Sequence, residues 1–392
     1  ASQCDIPSAV PVMFRAKRIA VVGDPQQLCH ITKINKSRDL FLRKRKGLSQ
    51  INNEHRFSYV ETSLYGLLAQ SNHAQPVLLR DTYRSVEQIA EYSNDLFYNG
   101  ALRVLTAKNN LRVPRDWKPG IEWKAVISDV VSVGPSGCCA PAEVDCVLMV
   151  LKDLLISKSF EGTVGVVTPF QQQKRRINDS LYAEIPRDLQ ERAGLIVDTA
   201  HGFQGDQKDV IILSLCGGPG MPAGSRGFLS SNSYLLNVAV SRARALLIVV
   251  GNKEWAAQCG VKHIERLTGR KSKLSIFVPI GKYHPHESPW EKVLFDALVN
   301  RRVIPEPQWP VLGRRLDLAL INQRSGKKID IEVDGDAFHR NSDGSRKIDD
   351  VWRDIMMQAD GWKVMRFWVY QLREDLDGCV DKIIKEWEGK DV

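Results

Sequence analysis

The sequence predicts an α/β protein in two parts: a parallel-sheet domain followed by a smaller α/β domain. Three observations carry that expectation. Short apolar runs at 163–168, 195–198, 209–215 and 245–251 alternate with helical patterns at 84–98, 142–156, 170–182 and 233–244. Such alternation is the rhythm of parallel strands joined by helices on both faces. After Gly251 the rhythm changes, and the tail reads helix 289–300, strands 315–321 and 328–334, helix 346–359, strand 362–370 and helix 374–387.

In chain order, residues 18–24 (RIAVVGD) come first, an apolar run ending in Gly23-Asp24. That pattern predicts a buried parallel strand with function at its carboxyl end. Residues 33–60 are polar and basic without a clear period, and are expected to bridge two lobes. Residues 106–120 and 217–231, rich in Gly, Pro, Ser and Asn, read as loops. Residues 256–288 carry scattered charges, end in KYHPHESP and read as a linker.

The composition, 43% hydrophobic and 26% charged over 392 residues, is that of a globular protein. No apolar stretch approaches the roughly 20 residues that cross a bilayer, and the first residues lack the order of a signal peptide. A cytoplasmic protein with no membrane partner is therefore expected. Lys and Arg outnumber Asp and Glu by 55 to 46, a formal charge of +9, which favours polyanionic partners through counterion release. Runs such as Arg43-Lys44-Arg45-Lys46 and Lys174-Arg175-Arg176 sharpen that signal. The 8 cysteines include no C-x-x-C pair, so reduced, mostly buried thiols are expected.

Five segments then recur in a meaningful order. VVGDPQQL, LLRDTYRS, VGVVTPFQQQ, VDTAHGFQGDQKDVIILSL and LLNVAVSRARALLIVVGN lie at or beside the strands and helices above. Each alone is a turn or a solvated helix end; together they are a pattern. Phosphoryl transfer needs positive charge aimed at the transferring group and little covalent help. Arg84 and Arg242, each beside an ordered element, suit that task.

Together these segments resemble the motor core of superfamily 1 helicases, the group around the RNA-surveillance and Dna2-type enzymes, over roughly residues 1–252. The resemblance implies a RecA-like lobe (the P-loop NTPase fold). It implies that Gly23, Asp24 and Gln27 serve the nucleotide, with Gln27 at the γ-phosphate, and that Arg84 and Arg242 reach that phosphate. Gln204, Gly205 and Gln207 would also serve the nucleotide. Thr168, Gln173 and Thr199 would lie near the nucleic-acid backbone. Two departures stand out. No G-x-x-x-x-G-K-[ST] occurs, and no acidic pair precedes Ala1, so ATP with Mg²⁺ is expected to need an N-terminal RecA-like lobe of the same protein. Gln207 stands where the family usually has Glu, and offers a ribose hydroxyl an uncharged acceptor.

The tail carries a second constellation. In KIDIEVD, Ile329, Ile331 and Val333 alternate with Asp330, Glu332 and Asp334. Period two sends the apolar set to a core and the carboxylates to the other face. In RLDLALI, Leu316, Leu318 and Leu320 alternate with Asp317, and a short hairpin would bring Asp317 beside Glu332. Like charges on one face repel; a bound cation or nearby basic groups would relieve them, and Mg²⁺ or Mn²⁺ is the expected relief. VDGDAFHRNSDG is a poor calcium loop, because the closing Glu is missing.

The parts SPWEKVLFDAL, RRLDLAL, IDIEVDGDAFH and RDIMMQADGWKVMRFW resemble the very-short-patch-repair branch of the PD-(D/E)XK nuclease fold, over roughly residues 286–392. The resemblance implies that Asp317 and Glu332 hold the metal and that Asp334 assists. His339 would carry a proton, Glu291 would complete the site, and Arg353 and Arg366 would steady a phosphate. Asp334 replaces the namesake lysine.

The expected organisation is thus 1–75, the end of a first RecA-like lobe and a connector; 76–255, a second lobe; 256–285, a linker; and 286–392, a small restriction-endonuclease-like domain. The expected function is a nucleic-acid translocase coupled to a metal-dependent endonuclease, with DNA ahead of RNA as substrate. A nuclease carrying a vestigial lobe, a binding protein without activity and an RNA-directed helicase remain as alternatives.

Overall fold

The computed structural model describes residues 4–28, 30, 32, 34–48, 57–69, 77–98, 100–107, 111–133, 137–203, 206–269, 285–312, 314–322, 325–335 and 348–389. The chain divides into two compact units, residues 81–273 with 26–28, and residues 1–25, 29–80 and 274–392.

The first unit contains α1 (Glu87–Phe97), β1 (Gly120–Ala125), α2 (Pro141–Lys152), β2 (Val164–Thr168), α3 (Gln171–Glu184), β3 (Ile196–Thr199), β4 (Lys208–Ser214), α4 (Ser233–Ser241) and β5 (Ala243–Gly251). Its five strands lie in the order β1-β5-β4-β2-β3, every neighbouring pair parallel. Helix-covered parallel strands are buried on both faces, which is why β4 and β5 read as unbroken apolar runs. Val147, Leu151, Val164, Val166, Ile177, Ile212 and Ile248 share one core between α2, α3 and the sheet. Gly165 has no room for a side chain, since a Cβ there would stand 2.6 Å from the Phe203 ring. This architecture is that of a RecA-like helicase lobe.

The second unit ends in α5 (Pro289–Asn300), β6 (Glu306–Val311), β7 (Arg314–Asn322), β8 (Lys327–Asp334), α6 (Ile348–Ala359), β9 (Trp362–Trp368) and α7 (Leu376–Glu388). The sheet order is β6-β7-β8-β9, antiparallel at the first two junctions and parallel at the third. One face packs Leu318, Leu320, Ile329 and Ile331 against Leu294 and Leu298 of α5 and Val380 and Ile383 of α7. The other packs Leu316, Ala319 and Trp362 against Met357 of α6. This small sheet is a restriction-endonuclease-like domain.

Several expectations need correction. RIAVVGD forms no strand, and Ile19 and Val22 are exposed; a parallel strand needs neighbours on its hydrogen-bonding edges, and none of the described residues supplies one. The aperiodic segment 33–60 contains a helix, Lys36–Arg45, capped by Asn35, whose side chain accepts from Arg38 N. The expected 217–231 loop contains helix Ala223–Ser231, and the expected linker contains helix Lys262–Leu267. The carboxylate side of β8 is not a solvated face, for Asp330, Glu332 and Asp334 are each 2% exposed or less. Leu316 departs from Leu318 and Leu320 and joins the opposite core. The ladder ends at Leu318↔Ile331, and beyond it Val333 N donates to the Asp317 side chain. A carboxylate there takes the place of a strand carbonyl, and the alternation breaks.

Candidate functional site

The tail hairpin brings its acids together by register. The ladder stops with Leu318 opposite Ile331, one residue short of both acids, and leaves Glu332 close enough to Asp317 for the two charges to act on each other. Asp317 Oδ2 accepts from Val333 N at 2.8 Å. Asp317 is half-buried, whereas Glu291, on α5, is buried. It stands at the third helical position, where Ser288 Oγ accepts from its N–H at 3.2 Å, while its own Oε2 accepts from Glu287 N at 2.8 Å and Gln308 Nε2 at 3.1 Å. Burial first, then Glu332 and Glu291, push the Asp317 carboxyl well above the usual carboxylate range. Sequence placed these three acids in one site, and the structure does bring them together.

Arginine answers the crowding. Arg366 faces Glu332 across the parallel ladder. Its Nη1 donates to both Asp334 oxygens at 2.8 Å, and its Nη2 to Asp354 Oδ1 at 2.7 Å. Burial alone would lower Arg366, but Asp354, Asp334 and Glu332 outweigh it and hold the guanidinium charge more firmly than usual. Arg353 Nη1 donates to Glu332 Oε2 at 2.8 Å and its Nη2 to Asp350 Oδ1 at 2.8 Å. Both arginines, expected at a phosphate, are thus engaged by carboxylates here. The predicted repulsion is relieved, among the described residues, by guanidinium groups from α6 and β9.

Does the site suit a divalent cation? The donors are hard oxygens, and Glu332 Oε1 is buried without a hydrogen-bond partner, so the chemistry of the set fits Mg²⁺ or Mn²⁺. Among the described residues, no three His, Cys, Asp or Glu side chains are arranged to share one ion. His339 lies outside the described residues. Asp330, two residues before Glu332, escaped sequence reading as a site residue. It is fully buried with both oxygens unpartnered. Burial, then Glu332, raise it to about 9.

The first unit has its own cluster. Ser85 Oγ donates to Ala243 O at 2.7 Å, and Val86 N to Arg244 O at 2.9 Å. These bonds pin the segment bearing Arg84 to the start of β5. Arg242, at the end of α4, is buried; its Nη1 donates to Asp206 O at 3.4 Å and its Nη2 to Gln27 Oε1 at 3.3 Å. Asn237 Nδ2 holds the preceding Gln26 carbonyl at 2.7 Å. Burial first and Arg84 second lower Arg242 to about 10. Two guanidinium groups beside a glutamine make an anion-shaped arrangement. Gly23 and Asp24 fall in the other unit, where Tyr65 leaves no room for a Cβ at Gly23, the nearest ring atom being 2.7 Å away. Gln207 is exposed, and Gln204 and Gly205 lie outside the described residues.

The expected nucleic-acid contacts are sited differently. Thr168, Gln173 and Thr199 are buried. The Gln173 amide is spent on Ala140 N at 2.9 Å and Ser214 Oγ at 2.9 Å. Ser214 donates in turn to Glu143 Oε2 at 2.8 Å, as does Cys216 N. Burial raises Glu143 to about 7. Sequence reading missed this network; its signal was a glutamate inside the apolar helix PAEVDCVLMVLK.

Comparison with known proteins follows the same division. Residues 60–254 match the family model described as AAA domain, and residues 290–386 match REase_MTES_1575. The 5'-3' DNA helicase ZGRF1 of Mus musculus is 26% identical over 246 residues, 62% of this chain and 12% of that protein. Regulator of nonsense transcripts 1 of Dictyostelium discoideum is 28% identical over 251 residues, 62% and 17% of the two chains. The DNA replication ATP-dependent helicase/nuclease DNA2 of Homo sapiens is 27% identical over 281 residues, 64% and 24% of the two chains. The chain spans less than a quarter of the length of each of these relatives. A solved C-terminal domain of a possible DNA helicase from Lactobacillus is 18% identical, covering 43% of this chain and 87% of that one with a TM-score of 0.26. The family matches and relatives support a superfamily 1 helicase. The second match fits a nuclease fused to it. No helix among the described residues is long and apolar enough to cross a membrane.

Proposed function

We propose that the chain is the C-terminal portion of an ATP-dependent DNA helicase or translocase coupled to a metal-dependent endonuclease. The observation carrying this reading is the approach of half-buried Asp317 to buried Glu332 and Glu291 on the small domain. The reading also draws on the two arginines of the other unit. Arg84 and Arg242 would meet the triphosphate of ATP bound with Mg²⁺ on an N-terminal RecA-like lobe of the same protein. Asp317 and Glu332 would hold Mg²⁺ or Mn²⁺, with Asp334 assisting and His339 moving a proton. The ion, when bound, supplies Lewis acidity at the phosphodiester and lowers the pKa of a bound water. DNA is preferred because the nuclease branch resembled acts on DNA.

A second reading is an RNA-directed helicase whose nuclease domain is inactive. The arginine pairing of Glu332 and Asp334 favours it. One assay separates the two. The chain, incubated with supercoiled plasmid and Mn²⁺ or Mg²⁺, is expected to nick it, and Asp317→Ala or Glu332→Ala is expected to slow nicking about 10²–10³-fold, the cost of removing one preorganised electrostatic group. Nicking that survives both substitutions removes the metal assignment. No nicking by the unaltered chain favours the second reading.

A further inference from the structure

One basic segment has no part in either site. Residues 36–48 hold Lys36, Arg38, Arg43, Lys44, Arg45 and Lys46 against the single acid Asp39. Two of these charges serve folding: Arg43 and Asp39 are buried, 3.2 Å apart, and Ser58 Oγ donates to the same Asp39 oxygen at 2.8 Å. Lys36 pairs with Glu61 at 2.6 Å. Arg38, Lys44, Arg45 and Lys46 are exposed, and no acidic side chain among the described residues pairs with them. Phe41 lies among them with 50% of its surface in water, its ring centroid 5.3 Å from the Arg38 guanidinium.

The helix dipole favours basic residues in a last turn. That accounts for Lys44 and Arg45, and leaves Arg38 and the exposed ring without a reason. Crowded like charges and a wetted aromatic ring are both costly in the free protein, and one ligand removes both costs. Arg38, Phe41 and Arg45, at i, i+3 and i+7, share one helix face, and the ~10 Å between the end residues spans roughly one to two phosphate spacings of an extended single strand. Unpaired strands offer phosphates to the cations and a free base to the ring; a duplex offers no base to stack.

We propose that helix Lys36–Arg45 and the turn after it form a docking strip for single-stranded nucleic acid, with Arg38, Lys44, Arg45 and Lys46 on phosphates and Phe41 under a base. The strip rests on the nucleic-acid reading above and adds a contact the helicase motifs do not contain. Its test is fluorescence anisotropy of the full chain with a labelled oligo(dT) strand across a salt series. Lys44→Ala/Arg45→Ala/Lys46→Ala should reduce the slope of log affinity against log salt by about 2, at about 0.7 per phosphate contact. Phe41→Ala should weaken binding roughly 5- to 150-fold and leave the slope unchanged. If the alanine triple loses helicity by circular dichroism, Lys44→Gln/Arg45→Gln/Lys46→Gln is read in its place. Binding by the full chain that neither variant alters overturns the strip and leaves the wider reading standing. No binding of any nucleic acid by the full chain overturns both. Duplex binding weakened as much as single-strand binding overturns the choice of ligand.

Discussion

The two clusters of charge in this molecule are opposites. On the RecA-like lobe, Arg84 and Arg242 stand close with the Gln27 amide on Arg242, and burial first, then Arg84, makes Arg242 easier to deprotonate, at about 10. On the small sheet, Asp330, Glu332 and Asp334 are buried beside half-buried Asp317, yet Arg353 and Arg366 neutralise much of the cluster from within. The lobe therefore keeps an electrostatic deficit that an external anion can fill. The small sheet has met most of its own deficit with two guanidinium groups, each shared between carboxylates. A site of the first kind is built to be completed by a ligand; one of the second kind is held together by its charges before any ligand arrives.

The largest expected effect tests that internal neutralisation. Arg366→Ala takes the guanidinium away from buried Asp334 and Asp354, and breaking such a pair costs about 3–5 kcal/mol. Urea unfolding followed by tryptophan fluorescence reads it, with Trp352 and Trp362 buried in this unit. A loss under about 1 kcal/mol would mean that the carboxylates find other partners, and the contrast between the clusters would dissolve.

A smaller effect concerns protons. Asp330 is raised to about 9 by burial and by Glu332, so between the ordinary carboxylate range and pH 9 the folded state binds more protons than the unfolded. Stability from this group is present at low pH and lost as pH rises through that window. Asp330→Asn should flatten the fall in unfolding free energy between about pH 6 and pH 8, by up to about 1.4 kcal/mol per pH unit. An unchanged pH slope would show that the carboxyl is ionised in place.

The smallest effect belongs to the lobe. Inorganic phosphate at ten times its dissociation constant should stabilise this unit by about 1.4 kcal/mol, read as a thermal shift that Arg242→Ala or Arg84→Ala removes. A shift that persists in both variants would place the anion elsewhere.

Much of this was legible in the sequence, for definite reasons. The tail helix Pro289–Asn300 was foreseen to the residue because Ser288, Pro289 and Glu291 spell a helix start. Asp317 comes close to Glu332 because the short hairpin carries the ladder to Leu318↔Ile331, one residue before both acids. What failed depended on partners distant in the chain. RIAVVGD has the composition of a strand, but composition does not supply a neighbouring strand. The burial of Asp330 and the roles of Arg353 and Arg366 follow from α6 covering the second face of the sheet, and nothing in KIDIEVD announces that cover. Strand Glu306–Val311 was missed because Pro307 and Pro310 argue against a strand, although an edge position tolerates them.

Those two prolines have a further bearing on the molecule. The rim they occupy is where a neighbouring copy of the domain would seek to extend the sheet, and because strand amides alternate between the two edges, this pair three residues apart leaves one amide missing on the outer edge. The domain carries its own stop against polymerisation there, and replacing both prolines with valine would open a seam for fibrous association.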